Sequence, residues 1–247
     1  MKIGIIGAGQ IGSALSRKLS AVGHTVFLAN SRGPETIRQI ADETGASAVT
    51  VAAAVEGVDL VIIAVPERNV AVLPEKLFDC VSADVVIVDA GNYSPSLSEG
   101  PIVEIEGGTP ESQWVSQQLG RPVVKAFNTI LADSLSAKGK AAGMEGRITI
   151  PVAGDEPRPK QIVIDLIGSI GFEGVDAGTI AESWRQQPGT PACCSDLEAD
   201  DLRRALSRAD KARAPELLAL IFEKMGQLSP SFTGDDLVNI NRSVHGL

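Results

Sequence analysis

The first dozen residues constrain the fold of this chain most. Lys2-Ile3-Gly4-Ile5-Ile6 is a short apolar run, and Gly7-Ala8-Gly9-Gln10-Ile11-Gly12 follows it without a gap. A Gly-x-Gly-x-x-Gly turn alone is a weak signal. Set between a strand and a helix, it reads as the phosphate-binding turn of a dinucleotide-binding βαβ unit. Gly7 permits a tight turn, because positive φ costs glycine little. Gly9 keeps side-chain atoms away from the pyrophosphate, and Gly12 lets the helix lie close to the strand. The helix predicted from Gln10 points unpaired N–H groups and the positive end of its dipole at the diphosphate. Ile11, Ala14, Leu15, Leu19 and Val22 recur at helical spacing, and Gly23 supplies a stop.

The second strand, predicted over Thr25 to Ala29, carries information on the nucleotide. In NAD-selective units an acid near its end bonds the ribose 2′-hydroxyl, whereas an arginine accommodates a 2′-phosphate. No Asp or Glu occurs between Gln10 and Gly33, and Asn30-Ser31-Arg32 stands at the critical place. Arginine offers a fixed fork of donors to phosphate oxygens, and Ser31 adds a hydroxyl. The expected cofactor is therefore NADP(H). Ser31 also reads as an N-cap for the helix that Gly33-Pro34 begins, and Arg38 as a solvated helix position.

Composition narrows the class. The chain has 247 residues, 44% hydrophobic and 21% charged, enough for a full core with an appendage. Its net charge of −9 speaks against a nucleic-acid surface. No uncharged apolar run reaches the roughly 18 residues of a membrane span. The glycine turn so close to Met1 leaves no space for a signal peptide, so a cytoplasmic location is expected. Cys80, Cys193 and Cys194 make neither a disulfide framework nor a zinc set, and the adjacent pair reads as inert reduced thiols.

Strand and helix patterns then alternate. A helix is predicted from Ser31 to Thr44, a short strand over Ala48 to Val51, and a buried strand over Asp59 to Val65, ended by Pro66. A helix over Val70 to Leu77 follows, then a strand over Asp84 to Asp89 leading to Asn92. Thr109-Pro110-Glu111 starts another helix, and Arg121 to Phe127 is a sixth strand. This pattern predicts an α/β fold, a doubly wound parallel Rossmann sheet over residues 1–128, with a smaller C-terminal extension over 129–247. Ligands in such sheets lie beyond the carboxyl ends of the strands. That rim gathers Gly7, Gly9, Gln10, Ile11, Gly12, Asn30, Ser31, Arg32, Ala64, Val65, Pro66, Asn92, Asn128 and Thr129. Within the extension, strands over Arg147 to Ala153 and Phe172 to Asp176 flank an amphipathic helix. A helix from Asp196 to Met225, broken at Pro215, precedes a polar and loosely held tail from Ser229.

The segments Gly-Ala-Gly-Gln-Ile-Gly, Ala-Asn-Ser-Arg-Gly-Pro (29–34), Val-Lys-Ala-Phe-Asn-Thr-Ile (124–130), Pro-Val-Ala-Gly-Asp (151–155) and Gly-Phe-Glu-Gly-Val-Asp-Ala-Gly (171–178) fall in that order. Over residues 1–190 the chain resembles the NADPH-dependent coenzyme F420 reductase-like family, in the superfamily of the pyrroline-5-carboxylate reductase nucleotide domains. The resemblance implies hydride transfer between NADPH and a deazaflavin (coenzyme F420) or flavin stacked over the nicotinamide. Such a transfer needs alignment and exclusion of water. It further implies that Ile11 presses on the dinucleotide, that Asn128 and Thr129 line the junction with the acceptor, and that Asp176-Ala177-Gly178 closes the far side. Asn128 stands where deazaflavin reductases of this type carry histidine. Lys125, Arg147, Arg158 and Lys160 are the cations on offer to an anionic coenzyme tail, and read otherwise as surface charges.

Neither histidine is placed for catalysis, since His24 precedes the second strand and His245 lies in the tail. Two other readings remain open at this point. One is reduction of a small C=N or C=O metabolite, for which Thr129, Tyr93 or Lys125 would supply the proton. The other is a non-catalytic NADPH-sensing protein. The expected partner is a small-molecule acceptor, with a homodimer possible and neither nucleic acid nor membrane involved.

Overall fold

The computed structural model describes residues 1–95 and 100–247. Its main sheet has six parallel strands: β1 (Lys2–Ile6), β2 (Thr25–Ala29), β3 (Ser47–Ala48), β4 (Leu60–Ile63), β5 (Val86–Asp89) and β6 (Val124–Lys125), in the order β3-β2-β1-β4-β5-β6. The order reverses between β1 and β4, the switch point beside which ligands of such sheets bind. Side chains alternate along the central strands. Ile3, Ile5, Leu60 and Ile62 enter one core, while Ile6, Val61 and Ile63 enter the other. Both faces are covered, which is why these strands read as unbroken apolar runs.

Helices α1 (Gln10–Ala21) and α2 (Arg38–Thr44) lie together on the first face, α1 burying Ala14, Leu15 and Leu19. On the second face sit the single turn α3 (Glu67–Val70), the short α4 (Val103–Glu106) and α5 (Glu111–Leu119), which contributes Trp114 and Val115. Gly45 and Gly120 end α2 and α5 in the left-handed conformation.

The chain then builds α6 (Ala132–Ala137), which packs on α1, and a small parallel sheet of β7 (Thr149–Val152) and β8 (Glu173–Asp176) around α7 (Pro157–Ser169). Lys125 and Ala153 exchange both backbone hydrogen bonds in a lone antiparallel bridge, at 2.8 and 3.0 Å, which joins the small sheet to the large one. Ile150, Val152, Val163, Leu166 and Phe172 share one apolar core with Ile3 and Leu15. A 3-10 segment, Ile180–Gln186, follows, opened by a capping box between Thr179 and Glu182. Three helices complete the chain: α8 (Ala199–Ser207), α9 (Ala214–Gly226) and α10 (Gly234–His245).

Several local expectations are corrected. The helix over Ser31 to Thr44 is a 3-10 turn, Pro34–Ile37, followed by α2, and its cap is Gly33 at φ 95°, not Ser31. The helix over Val70 to Leu77 is confined to Glu67–Val70, because Pro74 cannot donate within a helix and Val72 has no core to enter, being 75% exposed. The long helix from Asp196 is two, with turns over 208–213 between them, and Pro215 lies in the first turn of the second. The tail is ordered: Thr233 and Asp236 form a capping box for α10, Val238, Asn241 and His245 are buried, and Arg242 donates to the carbonyls of Ser195 and Asp196 at 2.7 and 2.8 Å. No helix among the described residues is long and apolar enough to cross a membrane.

Candidate active site

Register brings the rim residues to one level. Ile6 stands beside Ala29 and Ile63, Ile63 beside Asp89, and Asp89 beside Lys125. One row of backbone bonds closes the sheet above them: Gly7 N–H to Ala29 O, Ala64 N–H to Ile6 O, Ala90 N–H to Ile63 O and Ala126 N–H to Asp89 O, all within 2.8–3.1 Å. The residues that follow these strands therefore share one edge: Gly7 to Gly12, Asn30 to Arg32, Ala64 to Pro66, Asn92, and Asn128 with Thr129.

Each glycine of the turn meets a different steric demand. Gly7 has φ +120°, and a Cβ there would lie 2.2 Å from the Ala64 carbonyl oxygen. A Cβ on Gly12 would lie 1.8 Å from the carbonyl oxygen of Gly7, so α1 could not approach β1 with any side chain there. A Cβ on Gly9 would meet nothing within 4 Å: the space above the start of α1 is open. Gly9 and Gln10 are exposed, no side chain caps α1, and no acid occupies its first turn. Those amides are left for an anion. Ile11 is half-buried against the first core.

Past β2, Asn30 organises the loop. Its Oδ1 accepts the backbone N–H of Arg32 at 3.1 Å, and its Nδ2 donates to Thr36 Oγ1 at 2.9 Å. This Asx-type turn sets Ser31 and Arg32 as exposed residues beside the glycine turn. Past β4, Ala64 and Val65 are half-buried and Pro66 is exposed.

Asn128 is 2% exposed and fully engaged. Its Nδ2 donates to Asn92 Oδ1 at 3.0 Å and to the Gln186 carbonyl at 2.7 Å, and its Oδ1 accepts from Gln186 Nε2 at 3.1 Å. Asn92 returns a 2.7 Å bond to the Asn128 carbonyl. Phe127, fully buried, adopts φ 65°, a left-handed conformation that costs about 1–2 kcal/mol and turns the chain between β6 and this knot. Thr129 is 4% exposed, and its carbonyl accepts the Cys194 N–H at 2.8 Å. Asp176 pairs with Lys160 and accepts the Gly178 N–H, the contacts of a turn.

Sequence reasoning missed the group beside this knot. Lys125, expected at the surface, is completely buried. Its ammonium lies 3.1 Å from Asp89 Oδ2, 2.7 Å from the Gly91 carbonyl and 3.4 Å from Glu111 Oε2. Asp89 also accepts from Ser112 Oγ at 2.6 Å and from the Gly91 N–H at 3.0 Å. Glu67 is 2% exposed, and a Cβ built on Gly91 would lie 2.7 Å from its Oε1. Two carboxyl groups thus pair with one buried ammonium, and the charge of a third, Glu67, acts on it from nearby. Burial alone would depress the lysine, but Asp89, Glu111 and Glu67 outweigh it and raise its pKa. Burial raises Glu111 to about 7, against the lowering pull of Lys125 and with Asp89 adding to the rise. Burial, then the charge of Glu111, hold the Glu67 carboxyl well above its ordinary range. A signal was present in the sequence: Lys125 interrupts an apolar strand, where a lysine is buried only if paired.

The remaining cations are structural. Arg147 bonds the carbonyls of Gly168 and Phe172, and Arg158 faces Asp84 at the surface. Tyr93 donates to Glu106 at 2.7 Å and accepts the Ile102 N–H at 3.0 Å, within the second core. The Cys193 and Cys194 sulfurs lie 3.6 Å apart as free thiols. Among the described residues no group of three His, Cys, Asp or Glu side chains is placed to hold a metal ion.

A family model described as NADP oxidoreductase, coenzyme F420-dependent, matches residues 2–93, from β1 to the loop after β5. The "Putative protein YjhV" of Escherichia coli strain K12 is 40% identical over 103 residues, 42% of this chain and 75% of that protein. A crystal structure of the "hypothetical protein SMa0349" from Sinorhizobium meliloti is 34% identical, with a TM-score of 0.65 over 78% of this chain and 92% of that one. A "putative f420 dependent nadp-reductase" from Arthrobacter sp. FB24 shares the fold at 20% identity, with a TM-score of 0.61 over 92% of this chain and 94% of that one.

Proposed function

Since this chain belongs to the coenzyme F420-dependent NADP oxidoreductase family, we propose that it binds NADPH across the rim of the main sheet and passes a hydride to an acceptor held beneath the C-terminal extension. One observation carries the reading: an open, uncapped α1 N-terminus with no acid in its first turn, and an exposed Arg32 at the end of the neighbouring strand β2, lie on the same rim. The chain's own residues fit the cofactor. Gly9 leaves space for the pyrophosphate, the α1 amides face it, Arg32 and Ser31 hold the 2′-phosphate, and Ala64-Val65-Pro66 lies flat beneath the nicotinamide riboside.

When bound, NADPH supplies the hydride; the protein supplies alignment and dryness. The Asn92–Asn128–Gln186 knot fixes the floor at the ends of β5 and β6, and it ties that floor to the 3-10 segment that roofs it. With both N–H groups and its oxygen engaged, Asn128 positions Asn92 and Thr129 and does not move protons. A deazaflavin, a flavin or a smaller organic molecule is the acceptor class.

The test is a calorimetric titration with NADPH and NADH, followed by NADPH oxidation against a panel of deazaflavin, flavin, imine and carbonyl acceptors. Binding of NADPH at least about tenfold tighter than NADH, a difference of about 1.4 kcal/mol, with turnover on at least one acceptor is expected. Indifference to the 2′-phosphate, or tight binding without turnover on any acceptor, would overturn it.

A further inference from the structure

Between the 3-10 segment and α8 the chain runs through Cys193-Cys194, and its path brings the two thiols together. Neighbouring side chains point to opposite faces of a strand and diverge around a helix. Here the two sulfurs stand 3.6 Å apart, in van der Waals contact. Cys194 adopts φ 52°, a left-handed conformation that few residues other than glycine enter. The fold holds this path from both sides. The Cys193 N–H donates to the Thr190 carbonyl at 3.1 Å, and the Ser195 hydroxyl to the Pro191 carbonyl at 2.9 Å. Arg242 of α10 grips the Ser195 and Asp196 carbonyls beyond them. The two sulfurs are not equivalent. Cys193 is buried, whereas Cys194 is only half-buried. The hydrogen bond to Cys194, and then burial, raise the Cys193 thiol well above its ordinary range, so it keeps its proton. Cys194 is also the residue tied to the rim: its backbone N–H donates to the Thr129 carbonyl at 2.8 Å.

We infer that Cys193 and Cys194 form a reversible dithiol–disulfide couple, oxidised by hydroperoxides, and that the disulfide loosens the rim through Cys194 and Thr129. An adjacent pair is inert when its sulfurs point apart or both are buried, and neither holds here. The step balances. The Cys194 sulfur, as thiolate, attacks the terminal oxygen of the hydroperoxide and the O–O bond breaks. A Cys194 sulfenic acid forms, and the departing oxygen takes up the proton that Cys194 released, leaving as an alcohol (as water from hydrogen peroxide). The Cys193 sulfur then attacks the Cys194 sulfur: the S–S bond forms, the S–O bond breaks, and the Cys193 proton leaves with the hydroxide as water. Two thiols have lost two electrons and two protons, and one peroxide has gained them. Adjacent Cα atoms lie about 3.8 Å apart across a trans peptide, below the roughly 4.4–6.8 Å of ordinary disulfides, so a small dithiol readily reopens the ring. To close it, the sulfurs must move from contact to bonding distance. The Cys194 backbone turns with them, and its N–H leaves the Thr129 carbonyl. The effect on nucleotide binding rests on the proposed NADPH reading; the oxidation does not.

The test uses the full-length protein carrying Cys80→Ser, which removes the exposed thiol at the opposite end of the strands. Phenylarsine oxide loses its oxygen as water when two neighbouring thiols bind its arsenic. It is expected to bind one to one and to block alkylation of both remaining cysteines. Hydrogen peroxide is expected to give a chain lighter by two hydrogens, with the Cys193–Cys194 link located by peptide mass mapping, and dithiothreitol restores both thiols. In calorimetry the oxidised protein binds NADPH about fivefold or more weakly than the reduced protein. Cys194→Ser, which keeps the backbone N–H, binds NADPH as the reduced protein does and loses the response to peroxide. Cys193→Ser gives the same readout should the first variant fail to fold. A reduced protein that takes up no arsenical, or a peroxide product with sulfinic acid at Cys194 and no ring, overturns the couple. A ring that leaves NADPH affinity within about twofold overturns the link through Thr129 while the couple stands. If the reduced protein does not bind NADPH, the nucleotide reading fails, and the mass spectra alone decide the couple.

Discussion

Glu111→Gln has a thermodynamic consequence that is independent of any substrate. In the folded protein the carboxyl is held at about 7, chiefly by burial, against an ordinary 4.5. In the window between those two values the folded state binds a proton that the unfolded state has released. Stability must therefore be greatest at the acid end of the window and must fall as pH rises through it. At about 1.4 kcal/mol per pH unit the full interval is worth about 3 kcal/mol. Glutamine has the same shape, keeps the neutral charge of the protonated acid and cannot ionise. Urea midpoints of wild type and Glu111→Gln, measured from pH 5 to pH 8 and converted through their common slope, give the difference. It should favour the variant by only about 1 kcal/mol at pH 5, half a unit above the unfolded value, and by about 3 kcal/mol at pH 8. Carboxylates away from the cluster titrate equally in both proteins and cancel. Glu67, raised by burial and then by the charge of Glu111, is raised less in the variant, which changes the difference in the same direction. A difference that stays flat with pH, or that favours the wild type at pH 8, would refute the claim that this carboxyl is forced to hold a proton.

Three further outcomes are expected. Arg32→Ala should weaken NADPH by about 1.5–3 kcal/mol, the worth of a charged hydrogen bond, and leave NADH nearly unchanged; equal losses in calorimetry would remove the 2′-phosphate assignment. Lys125→Met should destabilise the fold by about 3–5 kcal/mol in urea at pH 7, because the buried Asp89 and Glu111 carboxyl groups lose the ammonium they pair with; a loss below about 1 kcal/mol, the scale of a surface pair, would contradict the burial of the cluster. Gly12→Ala should abolish NADPH binding, since its Cβ would fall 1.8 Å from the Gly7 carbonyl oxygen and α1 must shift; unchanged affinity in the same titration would refute that close approach.

The nucleotide half of the protein is written locally, and for that reason it was legible. Gly7, Gly9 and Gly12 act on their immediate neighbours, and the apolar runs ending at Ile6, Ala29, Ile63 and Asp89 declare central strands whatever else surrounds them. The cluster of Glu67, Asp89, Glu111 and Lys125 is a different kind of information. These residues are scattered along the chain with no periodicity, and only the pairing of Asp89 with Lys125 across two strands unites them. Charged side chains usually signal solvent, so the pattern pointed the wrong way. Ser31 failed as a cap because Asn30 had already claimed the turn. The tail misled through its polarity, although Thr233-Gly234-Asp235-Asp236 spells the capping box that starts α10. Its burial depends on contacts with α9 and the Ser195 region, which no local pattern encodes.

The reciprocal pair between Lys125 and Ala153 gives the molecule a built-in gauge of breathing. Any swing of the β7–β8 lobe away from the nucleotide sheet has to rupture those two amide links together. Their deuterium uptake should therefore proceed at one shared rate, slowed in concert by whatever clamps the lobes, and distinct from the rates of amides deep within either sheet.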